Sequence, residues 1–182
     1  MSHNADGSDP DIRVPPRLAV PRPDEQERTD DLTSLRRWLA YLRASALHKL
    51  DGLTDNQIRW SPTATSNSLG GIVMHLGYCE RLWLRVVMDD EPMDLRWTEN
   101  RYASTFTVPD GWSAEQVSAF YRAESAMADA VLDRAKSLEE RSKAAMRPTT
   151  LRWALTHLVE ETARHCGHLD ITRELLDGST GR

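Results

Sequence analysis

The chain is a mildly acidic polypeptide of 182 residues, with 23 Lys and Arg against 28 Asp and Glu and a formal net charge of −5. This length suits one domain with a substantial core, and the charge disfavours a general basic surface for nucleic acid. No apolar run approaches the ~20 residues of a membrane span, and the N-terminus shows no export signal. Two cysteines, Cys79 and Cys166, make no disulfide framework. We therefore expect a cytoplasmic protein that binds neither nucleic acid nor membrane.

Proline dominates the N-terminal segment, where five of the nine prolines fall within residues 1–23. Proline lacks a backbone donor and fixes φ, so a helix is disfavoured there. We expect an extended, partly disordered arm over residues 1–23, followed by a single bundle domain over residues 24–182. An arm that embraces a neighbouring subunit is the functional alternative to a loose terminus.

Leucine periodicity predicts the first two helices. Leucines recur at spacings of three and four between Asp24 and Asp51, which places them on one face of a helix. Ser68 is a plausible N-cap for a second helix that runs to about Met88. Its apolar positions again follow a helical period.

The third helix should run over residues 113–138, because Ser113 and Gln116 form a capping-box pattern at its start. We find no strand alternation, no internal repeat and no phosphate-cradling glycine loop. With the fourth helix described next, the amphipathic faces bury most simply in an all-α fold, a four-helix bundle.

The fourth helix and one long connection complete the chain. Thr149 or Thr150 caps the helix and Gly178 closes it. The connection over residues 89–112 is long enough to cross the bundle, so strict up-down order is not assured, and such loops are often functional. Four of its residues could cover a site and hold an anionic substrate group, or they could merely fasten the loop to the bundle. They are Arg96, Trp97, Arg101 and Tyr102.

A line of polar residues on the fourth helix is the feature that could carry chemistry. His157, Glu161, His165 and His168 follow spacings of 4, 4 and 3, and they span an arc of about 80° at the edge of the buried face. His75 on the second helix lies between apolar-stripe positions, so it should face the interior. A His that faces a Glu-x-x-x-His pair offers two imidazoles and one carboxylate, which leaves an open position on a divalent metal.

Each of these residues also has a structural role that would involve no metal. A single core histidine such as His75 is more often a hydrogen-bonded structural residue than a ligand. Glu161 with His165 could be a helix-face pair, as we expect Glu160 and Arg164 to be. The spacing of these residues alone does not decide between a metal site and these structural roles.

Two blocks of the sequence resemble a known superfamily. The block Ser68-Leu69-Gly70-Gly71-Ile72-Val73-Met74-His75-Leu76 resembles the second helix of the DinB-like superfamily, and residues 150–170 resemble its last helix. The loop Trp60-Ser61-Pro62, which leads into the second helix, also fits. The blocks are most similar to the mini-circle-protein group, and the resemblance covers roughly residues 28–178.

The resemblance implies a four-helix bundle with a divalent metal in its middle. The usual family ligands are one His on the second helix and a His-x-x-x-His pair on a later helix. His75 and His165 match two of these positions, whereas Glu161 stands in place of the first His of the pair. The mycothiol-dependent maleylpyruvate isomerase branch resembles this sequence in using His, Glu and His. The implied ligands are therefore His75, Glu161 and His165, with zinc expected first and nickel, iron or manganese as alternatives.

Function follows from the resemblance only as an expectation. A metal with an open position can bind a small thiol and lower its pKa, so the chain is expected to be a mycothiol-type S-transferase or isomerase acting with a small thiol cosubstrate. The alternative is a non-catalytic, stress-associated metal-binding bundle. His157 and His168 are candidates to orient a ligand, a water or a substrate, or they fill the end of the cavity. A homodimer is common in the superfamily and is expected here.

Overall fold

The structure, a computed structural model, describes residues 20–64, 67–92 and 102–180. Most of the predicted arm, residues 1–19, lies outside the described residues, as do Arg96, Trp97 and Arg101 of the long connection. The division into an arm and a bundle domain therefore stays a prediction.

Helices account for all the regular secondary structure of the described residues apart from an isolated bridge between Arg141 and Thr150. The predicted all-α class is confirmed. The long helices are α1 (Asp31–His48), α2 (Leu69–Glu80) with a π-helical continuation over Arg81–Met88, α3 (Ala114–Arg134) and α4 (Leu151–Asp177). Two short 3₁₀ segments cover Gln57–Arg59 and Tyr102–Phe106.

The predicted caps are present and set three of the helix starts. The side chain of Ser68 accepts from the backbone N–H of Gly71, and Ser113 forms a full capping box with Gln116. Of the two threonines proposed for α4, Thr150 is the cap. Gly178 ends α4 in the left-handed conformation at φ 77°, where a glycine avoids the Cβ penalty.

Three predicted helix boundaries are wrong. The first helix begins at Asp31 rather than Asp24, because the carboxylate of Asp30 caps the backbone N–H of Thr33. It ends at His48, before the predicted Asp51. The third helix ends at Arg134 rather than 138, since Ala135 turns to extended backbone.

Helices α1 and α4 run parallel, and α2 runs antiparallel to α4. At one end of the first pair Asp31 bonds to Arg152, and at the other Lys49 pairs with Asp170 at 2.5 Å. In the pair of α2 and α4 the order is reversed. His75 contacts Glu161, whereas Trp83, which follows His75 in the sequence, contacts Trp153, which precedes Glu161.

Helix α3 runs parallel to α2. Tyr78 packs on Phe120 near the start of this interface, and Asp89 pairs with Arg134 at its end. The four helices therefore run up, down, down, up, so the end of the π-helical continuation and the start of α3 lie at opposite ends of the bundle. Strict up-down order, which the length of this connection left open, is therefore not kept.

Helix α2 lies at the centre of the core, and every one of its residues is buried. A helix surrounded on all sides needs small residues where a neighbouring backbone approaches. A Cβ added to Gly71 would lie 2.3 Å from the carbonyl oxygen of Phe106, and one added to Gly70 would lie 2.8 Å from Val108. The glycine pair therefore lets the segment that contains Phe106 lie directly against α2.

No helix among the described residues is long and apolar enough to cross a membrane.

Candidate metal centre

Three predicted residues converge at the seam between α2 and α4. One carboxylate oxygen of Glu161, Oε1, lies 3.2 Å from Nε2 of His75 and 3.3 Å from Nε2 of His165. The three candidate ligand atoms all lie within 4.8 Å of one another. His75 is fully buried and His165 is 7% exposed. The four-residue spacing of Glu161 and His165 puts both side chains on one face of α4, opposite His75.

A threonine of the second 3₁₀ segment, Thr105, fixes the tautomer of His75. The hydroxyl of Thr105 donates to the carbonyl of Tyr102 at 2.7 Å and lies 2.9 Å from Nδ1 of His75. Because a hydroxyl carries a single proton, Thr105 must accept from His75, and Nδ1 is the protonated nitrogen. The lone pair of His75 Nε2 then faces Glu161, as metal ligation requires.

In this tautomer two hydrogen-bond acceptors face each other. A lone pair on His75 Nε2 and a carboxylate oxygen of Glu161 stand 3.2 Å apart, which is favourable only with a proton or a metal cation between them. Burial lowers the pKa of His75 and so disfavours the imidazolium. The hydrogen bond of His165 holds the pKa of Glu161 below its usual range. One carboxylate with two imidazoles therefore fits a divalent cation.

Cys79 lies beside these atoms. Its Sγ is 3.3 Å from Nε2 of His75, one helical turn along α2. Burial raises the pKa of the Cys79 thiol well above its ordinary value, and the negative charge of Glu161 acts in the same direction. Cys166 lies elsewhere, and its thiol contacts the backbone carbonyl of Leu42 on α1.

Two aromatic residues of the 3₁₀ segment cover the site. The ring of Phe106 stacks on His75 with centroids 3.9 Å apart, and Tyr102 meets the same imidazole edge-on at 5.5 Å. Tyr102 belongs to the set predicted to cover the site. Thr105 and Phe106 were not predicted, because a short segment after a long connection has no periodic pattern that indicates which side chains turn inward.

The remaining two histidines of α4 occupy different surroundings. Nδ1 of His168 lies 3.4 Å from Nδ1 of His165, so it can accept a hydrogen bond from the ring nitrogen of His165 that does not face Glu161. His157 stacks on Trp153 and meets Trp83 edge-on, each with centroids 5.0 Å apart. Glu160 pairs with Arg164 on the exposed face, which confirms that prediction.

An up-down-down-up helical bundle with a His, Glu and His set at its central seam defines a DinB-like protein. The chain matches the family model described as mycothiol S-transferase over residues 34–178. It belongs to the mycothiol S-transferase family, and the predicted resemblance to the DinB-like superfamily is confirmed.

A solved structure has the same fold. A conserved protein from Enterococcus faecalis superposes with a TM-score of 0.62 at 17% sequence identity, covering 84% of this chain and 100% of that one. No curated protein matches this chain.

Proposed function

We propose that this chain is a divalent-metal-dependent enzyme that uses a low-molecular-weight thiol of the mycothiol type, as an S-transferase or an isomerase. The observation that carries the proposal is the convergence of His75 Nε2, Glu161 Oε1 and His165 Nε2 at one point of a buried seam. The family membership supports the choice of thiol.

In this proposal His75, Glu161 and His165 hold the metal, with zinc expected before nickel, iron or manganese. A bound metal with an open position would lower the pKa of a ligated thiol, so that a thiolate exists at neutral pH. Thr105 holds the tautomer of His75. Phe106 covers the imidazole and keeps water from it, which strengthens electrostatic interactions at the site.

Removing a ligand tests the metal site. Replacing His75 or His165 with Ala should abolish stoichiometric metal in freshly purified protein, measured by elemental analysis. Glu161→Gln should weaken metal binding, because the anionic ligand is lost while the size is kept. His48→Ala is the matched control, since His48 pairs with Asp51 at 2.7 Å, outside the proposed ligand set. Full metal content in His75→Ala or His165→Ala would contradict the ligand set.

A thiol screen tests the reaction. Mycothiol is incubated with alkyl halides and with cis-trans isomerisable diacids, with and without added metal. In a transfer, the sulfur forms a bond to carbon while the halide leaves and the thiol proton is released, so thiol loss and proton release should match. Metal-loaded protein that accelerates neither reaction would contradict the proposed activity without affecting the metal site.

A non-catalytic metal-binding protein is the second candidate, and Cys79 favours it. Its sulfur lies 3.3 Å from His75 Nε2, so a modest shift would make it a fourth ligand and close the site, as in structural zinc sites. A thiolate charge-transfer band in cobalt-loaded protein, lost in Cys79→Ala, would favour this closed site. Metal content and turnover unchanged in Cys79→Ala would favour the open, catalytic one.

We also propose a cytoplasmic homodimer with an N-terminal arm over residues 1–23. The exposed pair Ile171 and Leu175, 60% and 62% exposed and one turn apart on α4, supports an interface. Light scattering after size-exclusion chromatography measures the assembly, and a monomer at micromolar concentration would contradict it.

A further inference from the structure

A second cluster lies along the same seam as the candidate metal centre. Trp83 of the π-helical continuation and Trp153 of α4 pack with ring centroids 4.7 Å apart. His157 contacts both rings, stacked on Trp153 at an interplanar angle of 24° and edge-on to Trp83. Three aromatic rings thus form one continuous surface, here called the aromatic platform: Trp83, Trp153 and His157.

The platform is not simply part of the core. Trp83 is 7% exposed, but Trp153 is 50% exposed, and the side chain of His157 is 28% exposed. A half-exposed tryptophan that stacks on an imidazole presents a flat apolar face with polar atoms at its edge. Large apolar surface left open beside a polar cluster is typical of a ligand site.

An arginine completes the cluster. The guanidinium of Arg147 lies 4.7 Å from the ring centroid of Trp83. The linker that carries it docks on the end of the π-helical continuation, where the N–H of Ala144 bonds to the carbonyl of Val87. Backbone contacts therefore hold Arg147 at the platform, where it adds hydrogen-bond donors beside the aromatic faces.

The platform continues directly from the candidate metal ligands. His157 and Trp153 precede Glu161 by one and two turns of α4, about 6 and 12 Å along the axis. On the facing helix, Trp83 lies two turns beyond His75, and both contact α4. A molecule with one end at the ligand set and its body along this seam would lie on the platform.

We propose that the aromatic platform is the subsite for the sugar part of the thiol cosubstrate. The inference rests on the proposed function, and it adds the residues that distinguish a glycosylated thiol from a small one.

The length of mycothiol matches the distances between the candidate metal ligands and the platform residues along the seam. Mycothiol joins a cysteinyl thiol through an amide to a glucosamine that is linked to an inositol ring. About five bonds separate the sulfur from the first ring, an advance of about 6 Å at ordinary bond lengths. With the sulfur at the ligand set, the first ring lies level with His157 and the second level with Trp153. The C–H faces of such rings pack on aromatic surfaces, while His157 and Arg147 can bond to ring hydroxyls.

The test measures binding of the sugar alone. Glucosaminyl-inositol, which lacks the cysteinyl thiol, is titrated into the full-length, metal-loaded chain by calorimetry. Trp153→Ala should raise its Kd by about 5-fold, the loss of one aromatic contact, and Trp153→Phe should retain most of the affinity. Trp60→Ala is the matched control, because Trp60 is 39% exposed and directly follows the 3₁₀ segment Gln57–Arg59, which packs on Gly70 at the opposite end of α2.

The same variants are then assayed with two thiols. Trp153→Ala should raise the ratio of the KM for mycothiol to the KM for N-acetylcysteine by about 5-fold, because only mycothiol carries the sugar. Sugar binding that is absent, or equal in Trp153→Ala and wild type, overturns the subsite even if thiol transfer occurs. Sugar binding that depends on Trp153, without thiol-dependent turnover, supports the subsite and rejects the proposed reaction.

Discussion

Thr105 is not a proposed metal ligand, but it decides which nitrogen of His75 carries the proton and so whether Nε2 can bind a metal. Its hydroxyl proton is committed to the carbonyl of Tyr102, so its oxygen accepts from Nδ1 of His75. Thr105 is fully buried, and water therefore cannot replace this hydrogen bond. The unprotonated state of His75 Nε2 depends on an oxygen contributed by the 3₁₀ segment.

Thr105→Val removes that oxygen while keeping the shape of the side chain. The buried N–H of His75 then lacks an acceptor, at a cost of about 1–3 kcal/mol, and the tautomer is no longer fixed. We expect metal affinity to fall about 10- to 100-fold, as for other partners of metal-bound histidines. Chelator competition measures the affinity.

Two variants control this measurement. Thr105→Ser keeps the hydroxyl and should bind metal almost as wild type does. Thr107→Val makes the same chemical change at a position outside the site and should have no effect. If Thr105→Val and Thr105→Ser bind metal equally well, the hydroxyl does not orient His75.

The candidate ligands were predictable from the sequence, whereas their surroundings were not. His75, Glu161 and His165 lie on two long helices, so their spacing and the superfamily resemblance predicted that they meet. Thr105 and Phe106 lie on a short segment after residues 93–101, and local pattern gives no side-chain direction there. A hydrogen bond between residues 75 and 105 depends on tertiary packing, which no local pattern contains.

At the scale of elements, the close approach of the 3₁₀ segment to α2 places Phe106 on His75. Gly71 makes the approach feasible, because a Cβ there would lie 2.3 Å from a backbone oxygen. Ser68 caps the helix three residues earlier. Ser68 therefore starts α2, and the pair Gly70 and Gly71 leaves room for the 3₁₀ segment beside it. The Ser68 cap was predictable from the local sequence, but the packing of the 3₁₀ segment on α2 was not.

Gly71→Ala and Gly167→Ala form a matched pair. Each gains helix propensity worth up to about 1 kcal/mol. A Cβ added to Gly167 would meet no atom within 4 Å, so Gly167→Ala should stabilise the chain. Gly71→Ala must displace backbone and should destabilise it by about 1–3 kcal/mol.

Urea unfolding measures both glycine variants, and chelator competition measures their metal affinity. Gly71→Ala should also weaken metal binding, because the displaced segment carries the ring stacked on His75. Equal stability changes of the same sign in the two variants would show that the approach of Phe106 does not constrain Gly71.

At the scale of the whole molecule, a buried ion pair joins three helices. Arg43 of α1 makes two hydrogen bonds to Glu80 of α2, at 2.9 and 2.6 Å, and one to Asp129 of α3 at 2.8 Å. Glu80 is 1% exposed, whereas the side chain of Asp129 is 42% exposed. No pattern in the sequence indicated this pair, since charged residues are usually solvated and only the packed bundle brings these three together.

Arg43→Met would leave Glu80 as an unpaired buried carboxylate. Removing one partner of such a pair costs about 3–5 kcal/mol, so we expect a loss of this size in urea unfolding. Asp129→Ala is the control, because it removes the exposed partner and should cost less than about 1 kcal/mol. Similar losses in both variants would mean that burial of Glu80 does not set the cost.

The loss in Arg43→Met should also depend on pH, with a defined sign. Burial raises the pKa of Glu80, and Arg43 opposes that shift; without Arg43 the pKa rises further. A carboxyl whose folded pKa exceeds its unfolded value favours folding when protonated, and that stability is lost as pH rises above about 4.5, the ordinary value for Glu. The difference in unfolding free energy between wild type and Arg43→Met should therefore be larger at pH about 7.5 than at about 5. A difference that shrinks as pH rises would mean that an uncompensated Glu80 charge is not what destabilises the bundle.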